Sequence, residues 1–245
     1  MNPRRLFNFV FELYNEKMAN EKLRNLVNDL KNIGVLKTPE IIKAFLKIDR
    51  VDFLPENLKN LAYLDEALPI GQNQTISQPY TVAFMLELLE PKPGDKIMDV
   101  GTGSGWQTAM LAHIVAAGGK TLGVDEETPS VKEPVAGKVY AIERVLELCR
   151  FGRSNIAKYN FIEKGIVEWF CEDASKGLPQ RAPFDKIIAA ASVEKIPQSW
   201  PEQLKIGGRL VLPIENSIRL FIKKSKKNFA SKEYPGFVFV PFIQE

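Results

Sequence analysis

From Lys96 onward, short apolar runs alternate with helix-length segments, and this alternation constrains the fold more than any other feature of the 245 residues. A strand buried on both faces reads as a continuous apolar run, and its parallel neighbour is reached only through a crossover, usually a helix. The expected strands are Lys96–Val100, 138–143, 167–171, 186–190, 209–214, 218–223 and 237–242. These seven runs fit an α/β fold with a doubly wound, mostly parallel seven-stranded sheet. The last two have no helix-length segment between them. They are expected as an antiparallel pair at the end of the sheet, with Lys223, Lys224, Lys226 and Lys227 at a solvated hairpin tip. Helices are expected at Trp106–Ala116, at 144–159 and, shorter, at 200–204. Segment 118–137 is rich in Gly, Pro and acidic residues and reads as an inserted loop.

Before this alternation lies an all-α preface without β-rich runs. Residues 21–33 have helical apolar spacing, and Thr38-Pro39-Glu40 is a cap-like start for a helix over 41–48. Residues 6–14 follow Arg4 and Arg5 but are interrupted by Glu12 and an asparagine. They have no small-residue cleavage site and fall short of the roughly 20 apolar residues of a membrane span, so they read as an amphipathic helix. A net charge of +3, from 33 basic and 30 acidic residues, argues for neither a nucleic-acid nor a membrane partner. The two cysteines, Cys149 and Cys171, offer no disulfide scaffold and no metal-ligand spacing. A reduced, cytoplasmic, metal-free monomer is expected.

The strongest local signal is Asp99-Val100-Gly101-Thr102-Gly103-Ser104-Gly105, a strand running through a glycine-rich turn into a helix. Such a turn leaves main-chain N–H groups free to meet a ligand at a helix N-terminus. The dinucleotide fingerprint GxGxxG does not fit, because the third glycine falls at Gly105 and Trp106 follows it. Upstream, Ile70-Gly71-Gln72-Asn73-Gln74-Thr75-Ile76-Ser77-Gln78-Pro79 reads as a polar loop opening a helix that runs to Glu90.

These two segments, in this order, resemble motif I of the S-adenosylmethionine methyltransferases and, more specifically, the signature of the protein-L-isoaspartate O-methyltransferases. The stretches 34–39, 49–55, 182–188, 203–213 and 238–242 are similar to that family as well, so the resemblance spans roughly 25–243. It implies a Rossmann-like methyltransferase core over 79–245, preceded by a helical segment and cofactor-covering loop over 1–78. It further implies S-adenosyl-L-methionine as cofactor, held by Gln74, Thr75, Ile76 and Ser77, by Asp99, Gly101, Thr102, Gly103 and Gly105, and by Glu143, Asp173 and Ala174. Ser77 matches the family's active-site serine, although a serine before Pro79 also fits a helix cap. Glu143 would receive the ribose hydroxyls and Asp173 the adenine amino group. Asp125 is the rival for the ribose. Its spacing from the glycine turn is nearer the roughly 20 residues of a dinucleotide unit, but the prolines after it leave no crossover helix.

The implied activity is methylation of the α-carboxylate of L-isoaspartyl residues in damaged peptides and proteins, a repair reaction. A carboxylate is already ionised at neutral pH, so the transfer requires no general base, and the lone His113 is expected at the surface. The chain departs from the family's pattern at Ala190-Ala191-Ser192-Val193-Glu194, at Ile214-Glu215 and at Ala174, which replaces a glycine. Two other readings therefore stay open: methyl transfer to another peptide carboxylate, and a non-catalytic cofactor-binding module.

Overall fold

The computed structural model describes residues 3–117 and 136–243. The expected insertion and Asp125 fall almost entirely outside those residues. Two helices, α1 (Pro3–Asn32) and α2 (Pro39–Lys47), form the preface, and a hairpin of β1 (Leu68–Gly71) and β2 (Gln74–Ile76) follows. After α3 (Pro79–Leu89) come β3 (Lys96–Val100), α4 (Trp106–Ala116), β4 (Lys138–Ile142), α5 (Leu146–Ala157), β5 (Val167–Phe170) and β6 (Phe184–Ala189). The chain continues through α6 (Ser199–Gln203), β7 (Leu204–Ile214), β8 (Ser217–Lys223) and β9 (Phe229–Pro235).

Strands β3 to β9 form one seven-stranded sheet in the order β5-β4-β3-β6-β7-β8-β9. The pairs from β5 through β7 are parallel, while β7–β8 and β8–β9 are antiparallel. Side-chain alternation along each central strand feeds two cores. Ile97, Val139, Ala141, Ile188 and Val211 face a layer built from α1 to α5. Met98, Tyr140, Ile142, Ile187 and Leu210 face the opposite side, where Trp200 of α6 packs with Ala174 and Leu178. The preface helices thus share one continuous apolar cluster with α3 and α4.

Three expectations need correction. The seventh strand is Phe229–Pro235, directly after the lysine-bearing turn, and 237–242 is irregular except for a bridge from Pro241 to Ser192. The segment read as a loop before Ser77 contains a hairpin. Its turn holds Gln72 and Asn73 at φ of 52° and 56°, the left-handed pair that matches the twist of two antiparallel strands. Finally, Cys149 of α5 and Cys171 after β5 are joined in a disulfide, with Cα atoms 5.7 Å apart, where free thiols were expected.

Candidate active site

A cavity opens at the C-terminal ends of β3, β4 and β6 and beside the segment that follows β5. Strand order reverses between β3 and β6, and at such a switch point the connections diverge to opposite faces and leave a crevice. The glycine turn forms its floor. Gly101, Gly103 and Gly105 adopt φ of 72°, 51° and 87°, conformations that side chains with a Cβ resist. Gly101 N donates to Ile142 O at 2.9 Å, which ties the turn to the end of β4. A Cβ on Gly103 would stand 3.2 Å from Ile70 Cδ1 of β1, so the hairpin lies close over the turn.

Glu143 follows β4 directly and is buried in this wall. Its carboxylate accepts from Gly103 N at 2.8 Å through Oε2 and from Val145 N at 2.9 Å through Oε1. The strand ending at this acid is the direct parallel neighbour of β3. On the opposite wall the hairpin delivers Gln74, Thr75, Ile76 and Ser77. Ser77 does not cap α3: that helix takes Gln78 as its N-cap and has no side-chain cap bond.

Gln74, Thr75, Ile76, Ser77, Gly101, Thr102, Gly103, Glu143 and Ala174 all line the cavity; Asp99, Gly105 and Asp173 do not. Asp99 is fully buried beneath the turn, where Gln107 Nε2 donates to Oδ1 at 2.9 Å and Thr108 Oγ1 to Oδ2 at 2.6 Å. It therefore anchors the first turn of α4. Burial pushes its pKa up to about 6, against the opposing pull of those two hydrogen bonds and with the help of the Glu143 charge. Gly105 serves packing, since a Cβ there would stand 3.1 Å from Gly152 O and from Ile156 Cγ1 of α5. Asp173 Oδ1 accepts from Ser175 N, while its neighbours Glu172 and Ala174 reach the lining.

Sequence reasoning missed several contributors. Gln107, Trp106 and Arg144 line the cavity. Asn155 of α5 donates to Ser104 O at 3.0 Å and holds the turn from behind. Gly152 lies so close that a Cβ would fall 2.5 Å from Gly103 O, and a glycine inside a helix was the signal for that contact. Val240, Pro241, Phe242 and Ile243 close the far side, stitched to the altered segment by Ser192 N to Val240 O at 2.8 Å and Phe242 N to Ser192 O at 2.7 Å.

Among the described residues Thr102 Oγ1, buried in the cavity wall, has no hydrogen-bond partner, and such an atom calls for a polar ligand. No histidine lines the cavity; His113 is half-buried on α4. Among the described residues, no three His, Cys, Asp or Glu side chains gather where a metal ion would sit. A family model described as protein-L-isoaspartate(D-aspartate) O-methyltransferase matches residues 20–245.

The chain belongs to the protein-L-isoaspartate O-methyltransferase family.

A curated family member from Staphylothermus marinus is 35% identical over 233 residues, covering 94% of this chain and 96% of that protein. One from Christiangramia forsetii is 39% identical over 227 residues, 91% and 95% of the two chains. Among solved structures, a protein-L-isoaspartate O-methyltransferase superposes with a TM-score of 0.74 at 26% identity, over 89% of this chain and 65% of the other. A Plasmodium falciparum structure in complex with S-adenosyl-L-homocysteine gives 0.73 at 24% identity over 90% and 98%, a likeness of fold. Methyltransferase folds of this kind carry a mostly parallel seven-stranded sheet, as found here. Within segment 190–194, Ala190 and Ala191 stand on the cavity wall, and Glu215 sits in the turn after β7, where its backbone carbonyl accepts from Ser192 Oγ at 3.3 Å.

Proposed function

We propose that this chain transfers a methyl group from S-adenosyl-L-methionine to the α-carboxylate of L-isoaspartyl residues in damaged peptides and proteins. One observation carries the reading: a single cavity gathers the glycine turn, Glu143 and Ser77, with the Thr102 hydroxyl unpartnered on its wall. Those groups suit the donor. The glycine turn allows close approach to its backbone, Glu143 presents carboxylate oxygens to ribose hydroxyls, and Ala174 with Glu172 lies at the edge expected for the adenine. Asp99 and Gly105 support the turn from below, and Asp173 stands beside the adenine edge. Residues 1–78 act as the preface and covering segment, with the sheet core following.

When bound, S-adenosylmethionine supplies an electrophilic methyl group on a sulfonium, whose carbon–sulfur bonding pair leaves with sulfur. The acceptor is a carboxylate with an ordinary pKa near 4, so no residue has to remove a proton. This agrees with a lining that contains no histidine. Ser77 orients the acceptor oxygen by donating its hydroxyl. The hairpin on one side and Val240 to Ile243 on the other exclude water, leaving rate enhancement to alignment, an effect of up to roughly 7–11 kcal/mol in model reactions. We take the cytoplasm as the compartment; there the Cys149–Cys171 bond would be open to reduction.

A second reading, transfer to an ordinary aspartyl side chain, is favoured by the altered segment 190–194, which reaches the cavity wall through Ala190 and Ala191. One experiment separates the two: transfer of labelled methyl to paired peptides that differ only in an isoaspartyl or aspartyl linkage. Label on the isoaspartyl member alone is expected. Label on the aspartyl member alone would replace the first reading by the second, and label on neither would leave a cofactor-binding module.

A further inference from the structure

Arg50 is the one arginine in the buried core, and it has no carboxylate within hydrogen-bond distance among the described residues. It opens a short 3-10 turn, Arg50–Phe53, capped by Asp49, whose side chain accepts from Val51 N at 3.1 Å. From there its guanidinium reaches four backbone carbonyls. Nη1 donates to Ala62 O at 3.0 Å and to Leu64 O at 3.1 Å; Nη2 donates to Glu66 O at 2.8 Å and to Ser77 O at 3.1 Å. The Trp106 ring lies 5.3 Å from its Cζ, and Trp106 Nε1 in turn donates to Ile48 O at 3.2 Å.

Burying a cation is costly unless its donors are met; no carboxylate among the described residues meets them, and Nε has no hydrogen-bond partner there. Four carbonyls from two separate segments instead make the guanidinium a template. It fixes the 62–66 turn against the backbone of Ser77, and it does so while stacked on the residue that begins α4 after the glycine turn. The donor-facing turn and the serine on the opposite wall are thereby referenced to one rigid, planar group. A lysine in its place brings three donors from one nitrogen and does not match this fork.

We infer that Arg50 is a positioning residue for methyl transfer, acting through the Ser77 carbonyl to hold the Ser77 hydroxyl at its working height above the glycine turn. The inference rests on the proposed role of Ser77 at the acceptor. It goes beyond that role in assigning a remote cation to set the serine's position.

A double-mutant cycle of Arg50→Lys and Ser77→Ala tests it, with turnover on the isoaspartyl peptide, S-adenosylhomocysteine affinity by calorimetry and thermal stability read for each variant. Arg50→Lys is expected to lower kcat at least tenfold while leaving S-adenosylhomocysteine affinity within threefold. In the Ser77→Ala background the same change is expected to lower kcat less than twofold, because its target is already gone. An equal loss in both backgrounds, or a loss of S-adenosylhomocysteine affinity matching the loss of kcat, overturns the inference. Arg50→Gln, which keeps an amide donor without the charge, serves as the second variant. If both variants are unfolded at assay temperature even with S-adenosylhomocysteine bound, Arg50 belongs to stability alone and the inference is overturned. A wild-type chain that methylates neither peptide, or a Ser77→Ala variant with full turnover, instead overturns the reading on which it rests.

Discussion

Glu143 holds two backbone N–H groups with one carboxylate, and both belong to segments that frame the cavity. Replacing it removes the acceptor proposed for the ribose and at the same time releases the Gly103 N–H. Glu143→Ala should therefore weaken S-adenosylhomocysteine binding at least tenfold, about 1.4 kcal/mol, in an isothermal titration. Unchanged affinity would assign the carboxylate to the turn alone. Beneath it, Asp99 gives a pH signature. Its folded-state pKa of about 6 lies above the usual unfolded value near 3.9, so the folded chain holds this proton more tightly than the unfolded one. Stability from this group is fully present below the unfolded value and is lost as pH rises through about 6. Relative to Asp99→Asn, the wild type should gain on the order of 2 kcal/mol as pH falls from about 7 to about 4. Denaturant titrations across that range check it, and a flat difference would mean that the two hydrogen bonds fully offset burial.

At the scale of elements, the turn between β7 and β8 carries a strain that the sequence already marked. Glu215 belongs to a stretch expected to depart from the family's pattern, and its φ is 53°. A left-handed residue with a Cβ costs about 1 kcal/mol, and Glu215 is exposed with its carbonyl, not its side chain, bonded to Ser192. Glu215→Gly should raise the unfolding free energy by about 0.5–1 kcal/mol, less the added freedom of the unfolded chain, without moving the cavity wall. A lower melting temperature would show that the glutamate side chain contributes a contact. Which elements were legible follows from burial. The parallel strands β3 to β6 and helix α4 were readable because both faces of the sheet are covered and the pattern is forced. The strand β9 was not, because Phe229–Pro235 is an exposed edge with charged residues, while the apolar stretch after it only imitates a strand. The β1–β2 hairpin hid because its strands are four and three residues long and its turn, Gln72-Asn73, lacks glycine. In the site, the glycine turn, Glu143 and Ser77 were legible as local motifs. Arg50, Asn155 and the 240–243 wall were not, since each acts only through distant contacts.

For the molecule as a whole, the Cys149–Cys171 bond ties α5 to the end of β5, across a sequence separation of 22. By loop-closure entropy, a link of this span contributes about 3 kcal/mol. Cys149→Ser, or reduction by a small thiol, should therefore lower the melting temperature by several degrees, on the order of 6–12 °C for a chain of this size. An unchanged melt under verified reduction would mean that packing of Trp169 against Cys149, whose Sγ accepts from Nε1 at 3.0 Å, suffices to hold the two elements. The cavity's own construction has a consequence of a different kind. Its walls come from Gln74 to Ser77, from the ends of four strands, and from Val240 to Ile243. A ribosome building this protein lays down every parallel strand before it reaches the segment that closes the crevice. The nascent chain can thus assemble its sheet while still tethered, yet it completes its binding site only after residue 243 has cleared the exit tunnel, so methyl-donor binding reports the arrival of that closing segment and not the onset of folding.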